Sequence, residues 1–346
     1  MSMTEKVSRL SQPQTEVRGL RSRESKSEPC YYNVSILKSP VWKWEIATYF
    51  FLGGLSAASY TLARIAERAG SGKYRHLTRA GTFVAFAAML PCAPLLIRDL
   101  GDRKRFHHML RVFKPSSPMN LGTWLLLGFS GISLTAVLRE KARDGRGTID
   151  RFRSRGLISE ALCAAHDAAG IPLALGVAGY TGVLLSCTAN PMWCKNPWLG
   201  PLFMCSAFGT GAAATSLAMA WRNESAGDTV LDRVETVSRI GEAITLAGYL
   251  KHAGETAKPL TRGSMKKHLG VAIGALVVGE VLQRLPVPRR AKRFTRVASA
   301  LATLAGGLSL RWAMVHGGHE AANDPRLARL ATSRSGQPQI NTDRHG

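Results

Sequence analysis

Trp42-Lys43-Trp44-Glu45-Ile46-Ala47-Thr48-Tyr49-Phe50-Phe51-Leu52-Gly53-Gly54-Leu55-Ser56-Ala57-Ala58-Ser59-Tyr60-Thr61-Leu62-Ala63 is the stretch whose reading decides the fold. No side chain from Ile46 to Ala63 carries a charge. At about 1.5 Å of rise per residue, this run with its flanks crosses a hydrocarbon layer of about 30 Å, so it reads as a transmembrane helix. Trp42, Lys43 and Trp44 mark one interface and Arg64 and Arg68 the other. Gly53, Gly54, Ser56, Ala57, Ala58 and Ser59 give it a small-residue surface, which lets a neighbouring helix approach where lipid supplies no hydrophobic drive.

Whole-chain averages conceal this helix. Mean hydropathy is −0.02 because apolar stretches are offset by strongly basic loops and tails, and the net charge of the 346 residues is +23. With apolar helices present, anionic headgroups are the first partner such a charge implies, and nucleic acid is not expected. Residues 1–40 are polar and hold no apolar run long enough for a signal-peptide core. The six cysteines have no CxxC spacing, no Rossmann glycine fingerprint or P-loop occurs, and the chain cannot complete a redox reaction alone. Cys187 and Cys194 flank one loop, where a disulfide is one option and two free thiols the other.

Seven further spans are expected: Ala80 to Leu100, kinked at Pro91 and Pro94; Leu121 to Leu138; Ile171 to Cys187; Leu199 to Trp221; residues 231–250; Leu269 to Leu285; and Val297 to Val315. The sixth span reaches full length only by borrowing charged residues before Ile240. The expected fold is all-α, a polytopic bundle of about eight transmembrane helices over residues 41–320, between polar tails at 1–40 and 321–346. Lys and Arg are more frequent in the odd-numbered connections, which places those in the cytoplasm and both termini on the outer side of an inner (cytoplasmic) membrane.

Glu242, Glu280 and Arg311 are ionisable residues within these spans. Glu280 is the deepest acid, and an ionisable group at that depth is a functional candidate or else a buried partner of Arg311 or another basic group. Glu242 poses the same choice, while Arg311 either joins them or snorkels from the last turns of its helix. Together, Glu242, Glu280 and Arg311 are candidates for a proton pathway or for a transporter's ion route. A haem would need two imidazoles facing each other inside the bundle. His166, His252, His268, His316 and His319 lie instead at expected helix ends, so ordinary interfacial histidines are the preferred reading and neither haem nor metal is expected.

Several segments, taken in order, resemble the integral membrane subunits of the polysulfide reductase or NrfD type. The first is Pro40-Val41-Trp42-Lys43-Trp44-Glu45-Ile46 followed by Tyr49 to Leu55. Next come Arg98-Asp99-Leu100-Gly101-Asp102 to Phe106, and Ser117-Pro118-Met119. Then follow Tyr180-Thr181-Gly182 with Pro191 and Trp193, Pro201-Leu202-Phe203 with Ser206, and Arg311-Trp312 to Asp324-Pro325. Arg103 or Lys104 stands where that family has a proline. The resemblance runs from about Tyr31 to Pro325 and implies a membrane anchor without haem. Such a subunit passes electrons between a quinone (menaquinone or ubiquinone) and a ferredoxin-like iron-sulfur subunit, which serves a separate catalytic subunit.

For the quinone head group, the resemblance points to Tyr180 as a hydrogen-bond donor and to Asp99, with Glu280 as alternative, as the proton-exchanging acid. Asn33 and Lys38, just before the first helix, are candidates for the second carbonyl. On the expected topology the first helix begins, and the second and fourth end, on one face, so these residues converge there. The competing readings are a core tyrosine bonded to a backbone carbonyl, a capping aspartate and a solvated tail.

Overall fold

The computed structural model describes residue 37 and residues 40–334, apart from 71, 101–102, 112, 115, 144–159, 225–226 and 287. The principal helices in chain order are α1 (Trp44–Ala69), α2 (Arg75–Met89), α3 (Cys92–Asp99), α4 (Pro118–Arg143), α5 (Glu160–Ser186), α6 (Leu199–Trp221), α7 (Asp228–Ala253), α8 (Lys266–Arg284), α9 (Arg289–Asn323) and α10 (Pro325–Arg334). The described residues contain no strand. Asn33 and Lys38 lie outside the described residues.

α1 and α6 form the centre. In α1, 83 % of the apolar window is buried, against 33 % in α4, because α1 packs on α2, α3, α5, α6 and α9 while α4 keeps an outward face. The small residues make this possible. A Cβ on Gly211 would sit 2.7 Å from the Ala58 side chain, and one on Gly54 would sit 3.1 Å from Ala207, so α1 and α6 are nearly in backbone contact. Ser56 Oγ donates to the Ala85 carbonyl of α2 at 2.6 Å and Ser59 Oγ to the Gly211 carbonyl of α6 at 3.2 Å. These interhelical bonds satisfy hydroxyls that have no water to turn to. α8 and α9 make an antiparallel pair, α7 lies along α6, and α4 lies along α5.

The second expected span is a broken one. α2 stops at Met89 and α3 resumes at Cys92, because Pro91 and Pro94 have no backbone N–H to continue the ladder, and the Leu95 N–H picks up the Pro91 carbonyl at 3.0 Å. Pro172, in contrast, is carried inside α5, which starts earlier than the apolar run suggests.

Among the described residues six segments are long and apolar enough to cross a membrane: residues 44–69, 75–99, 118–142, 168–186, 199–221 and 291–323. This is two fewer than the sequence reading. The remaining two segments are helical in the expected places, α7 and α8, but they carry charges. Asp228, Asp232, Arg233, Glu235, Arg239, Glu242 and Lys251 lie on α7, while Lys266, Lys267, Glu280 and Arg284 lie on α8. Several of these charges are paired. Arg239, 4 % exposed, lies 2.5 Å from Glu235 and 3.1 Å from Glu280, so the α7–α8–α9 side is held by buried ion pairs where the rest is held by small-residue packing. Within the C-terminal polar stretch, α10 folds and buries Leu327 and Ala328.

Candidate functional site

The start of α1, the end of α3, the start of α4 and the C-terminal half of α5 enclose a cavity of ≈ 320 Å³. Its wall is mostly apolar, with Ile46, Phe50, Leu96, Leu126 and Leu184 among the lining side chains, and two of the expected residues, Asp99 and Tyr180, both face it. They come from helices that only the tertiary fold brings together. Thr123 and Ser130 also line it, but each hydroxyl donates to its own helix, to the Met119 carbonyl at 3.2 Å and the Leu126 carbonyl at 2.7 Å. Asp99 and Tyr180 share the cavity wall with the Tyr49 phenol.

The Tyr180 hydroxyl donates to the Pro118 carbonyl at the start of α4. Its ring lies directly over Gly122, where any Cβ would occupy the ring's own space. Gly122 sits one turn after Pro118, so the glycine that admits the ring also sets the phenol against that carbonyl. The core-tyrosine reading and the ligand reading thus describe one geometry, a phenol bonded to a backbone carbonyl and facing an open cavity.

Asp99 ends α3. Its carboxyl lies beside the Lys43 backbone N–H and has Glu45 as an acidic neighbour. The sequence reading missed Glu45. Its carboxyl is 6 % exposed, Oε1 lies 3.3 Å from Arg98 Nε, and Oε2 is buried without a hydrogen bond. Arg98 also covers the Trp44 ring at 5.3 Å. An acid in the first turn of a helix reads as compensation of the helix dipole, which is why Glu45 drew no notice. The available signal was that this first turn begins a membrane span opposite a second acid.

Trp42 forms one edge of the cavity and separates it from a second recess of ≈ 370 Å³ lined by Pro40, Val41, Asn190 and Trp193. The Trp42 and Trp193 rings stack at 5.6 Å and 20°. Contacts of Trp42 with Trp193 and His319 put the start of α1, the loop 187–198 and the end of α9 on one face of the bundle.

The other expected residues lie elsewhere. Arg311 is 1 % exposed and does not snorkel. Its guanidinium donates to Ser206 Oγ, to the Gly307 carbonyl at 3.1 Å and to the Phe203 carbonyl at 3.1 Å, and lies over the Phe203 ring. The buried Glu242 carboxyl lies close to Ser206 and Arg311, so the three form one buried polar cluster. Glu280 is paired with Arg239 and with Arg284 at 2.6 Å, not with Arg311. Phe203 packs edge-on against Phe50, a cavity wall residue, and is the nearest link between this network and the cavity.

Cys187 and Cys194 are both free thiols. Among the described residues no group of three or more His, Cys, Asp or Glu is placed to hold a metal ion.

Fold and cavity define a class: an integral, multi-pass membrane helix bundle with an apolar cavity at one face and two polar groups converging on it. Residues 34–321 match the family described as Polysulphide reductase, NrfD, and the chain belongs to that family. The C subunit of polysulfide reductase from Wolinella succinogenes is 28% identical over 299 residues, covering 80% of this chain and 94% of that protein. Protein NrfD of Escherichia coli is 28% identical over 198 residues, covering 54% of this chain and 62% of its own. The Protein NrfD homolog of Haemophilus influenzae is 26% identical over 201 residues, 55% of this chain and 62% of its own.

Proposed function

We propose that this protein is the quinone-reactive membrane anchor of a multi-subunit respiratory oxidoreductase, passing electrons between membrane quinone and an iron-sulfur partner that serves a catalytic subunit. The observation that carries the reading is the convergence of Asp99 and Tyr180 on one apolar cavity. Such a cavity, apolar with few oriented polar groups, fits a ring carrying two carbonyls, and the buried, unbonded Glu45 Oε2 adds an acid close by. When bound, the quinone supplies two-electron, two-proton redox chemistry.

The chain's own residues bind, orient and manage protons. Tyr180 turns its O–H from the Pro118 carbonyl to a ligand carbonyl, and the helical ladder of α4 keeps Pro118 satisfied when it does. Asp99 exchanges a proton at its carboxyl, which lies beside the Lys43 N–H with the buried Glu45 as its acidic neighbour. Asn33 and Lys38 are proposed for the second carbonyl. Leu96, Leu126 and Leu184 keep water from the ring. In the α7–α9 half, Arg311, Ser206, Glu242, Arg239 and Glu280 are proposed as the proton route of the complex, supported by the burial of the first four and by the Arg239–Glu280 pair.

The test is Tyr180→Phe in the assembled complex. It removes one hydroxyl and keeps the ring on Gly122. Quinone-linked turnover falls severalfold through loss of a hydrogen bond of about 1 kcal/mol or more, while assembly is retained. Unchanged quinone kinetics would move the site away from this cavity.

A further inference from the structure

The cavity edge at Trp42 is built by a segment with little local support. Lys43 is extended, with φ −107° and ψ −162°, and α1 has no side-chain N-cap, so the Trp42–Lys43 peptide precedes the helical ladder and is held only from outside it. Its two polar groups have separate partners. The Trp42 carbonyl accepts from His319 Nε2 at 2.5 Å, across 277 positions of sequence, and the Lys43 N–H lies beside the Asp99 carboxyl. A trans peptide is planar and its C=O and N–H point in opposite directions, so holding the C=O sets the direction of the N–H. Rotation of that plane would release the His319 bond and move the Trp42 ring and the Lys43 N–H together.

The outer partner is itself locked. His319 stands on α9 one residue after Gly318. The Trp193 ring fills the space over Gly318 that any Cβ would take, and Trp193 Nε1 donates to the Met314 carbonyl at 3.0 Å. Asn190 Nδ2 donates to the Gly318 carbonyl at 2.8 Å. Trp193 then stacks on Trp42. Behind His319, the His316 ring lies 5.9 Å away and stacks on Trp312 at 4.5 Å. One turn of α9, Val315-His316-Gly317-Gly318-His319, thus holds Trp42 by its ring through Trp193 and by its carbonyl through His319.

We propose that His319, which does not line the cavity, is a positioning residue for the quinone site: through the Trp42–Lys43 peptide it fixes Trp42 and Asp99. This rests on the quinone reading of the cavity. It assigns to the α7–α9 half a part in ligand binding that cavity lining alone does not reveal.

The experiment is equilibrium binding of decylubiquinone and of menadione to the purified full chain in lipid nanodiscs, read by quenching of tryptophan fluorescence. His319→Leu removes the donor and raises Kd about fivefold or more, the effect of one lost hydrogen bond. His319→Asn, too short to reach the carbonyl, behaves like His319→Leu and serves where the leucine variant fails to fold. His319→Gln, which keeps an N–H at similar reach, restores most of the affinity. Because His319 acts through the peptide on Asp99, its effect is smaller in an Asp99→Ala background, which has no acceptor for the Lys43 N–H. Unchanged Kd in the leucine and asparagine variants, no rescue by glutamine, or strict additivity with Asp99→Ala overturns the role of His319. Failure of the wild-type chain to bind either quinone overturns the quinone reading itself.

Discussion

Arg239→Met tests whether the α7–α9 half is held by charge. The guanidinium lies 2.5 Å from Glu235 Oε2, 3.1 Å from Glu280 Oε2, 2.5 Å from Gln283 Oε1, 3.0 Å from Ser299 Oγ and 3.2 Å from Thr303 Oγ1. Gly279 makes room for it, since a Cβ there would stand 3.0 Å from Arg239 Nε. Methionine keeps the stem volume and leaves Glu235, 3 % exposed, without its cation. Removing one partner of a buried pair costs about 3–5 kcal/mol, because the remaining charge stays desolvated. Thermal unfolding of the detergent-solubilised protein should then shift downward by on the order of 10 °C. Adding Glu235→Gln to Arg239→Met should recover part of that loss. Arg284→Ala is the contrast: Arg284 is 71 % exposed, so its pair with Glu280 contributes about 0–1 kcal/mol. Equal shifts for Arg239→Met and Arg284→Ala, or none for either, would refute the claim that burial makes this network matter.

Three further outcomes can be checked. Gly122→Ala puts a methyl where the Tyr180 ring lies, so it should cost about 1–3 kcal/mol in stability and weaken quinone binding at least as much as Tyr180→Phe; wild-type binding would mean the ring is not held there. Glu45→Gln should lower quinone-linked turnover severalfold while changing thermal stability little, since its partner Arg98 is 59 % exposed; unaltered turnover would remove Glu45 from the site. Alkylation under non-reducing conditions should label both Cys187 and Cys194, and an intact-mass difference on reduction would show a disulfide instead.

Most of the helices were legible because hydrocarbon imposes a length and a composition on whatever crosses it. The run from Ile46 to Ala63 has both, and its glycines and serines announced the close neighbours that Ala207, Gly211 and Ala85 turn out to be. The paired charges were not legible in the same way. Arg239 reads as a polar residue that weakens a span, and only the fold places it between Glu235 and Glu280. Arg311 stays open between burial and snorkelling for a related reason: nearness to a helix end allows either, and its burial depends on Ser206, Phe203 and Gly307 meeting it. Asp99 and Tyr180 could be brought to one face by counting helices, but the cavity between them depends on Gly122 admitting a ring.

The two halves of the bundle therefore divide the work by their chemistry. α1 to α5 enclose the cavity with apolar walls and few polar groups, and an open space of ≈ 320 Å³ leaves that part less filled than a packed core. The α7–α9 half carries buried ion pairs, whose bonds have definite directions and fix geometry more tightly than small-residue packing does. A redox site needs its ligand held to within a fraction of an ångström while its entrance stays open. Anchoring Trp42 from α9, through His319 and Trp193, meets both needs: the wall is rigid because its supports lie outside the cavity, and the cavity stays open because none of those supports occupies it.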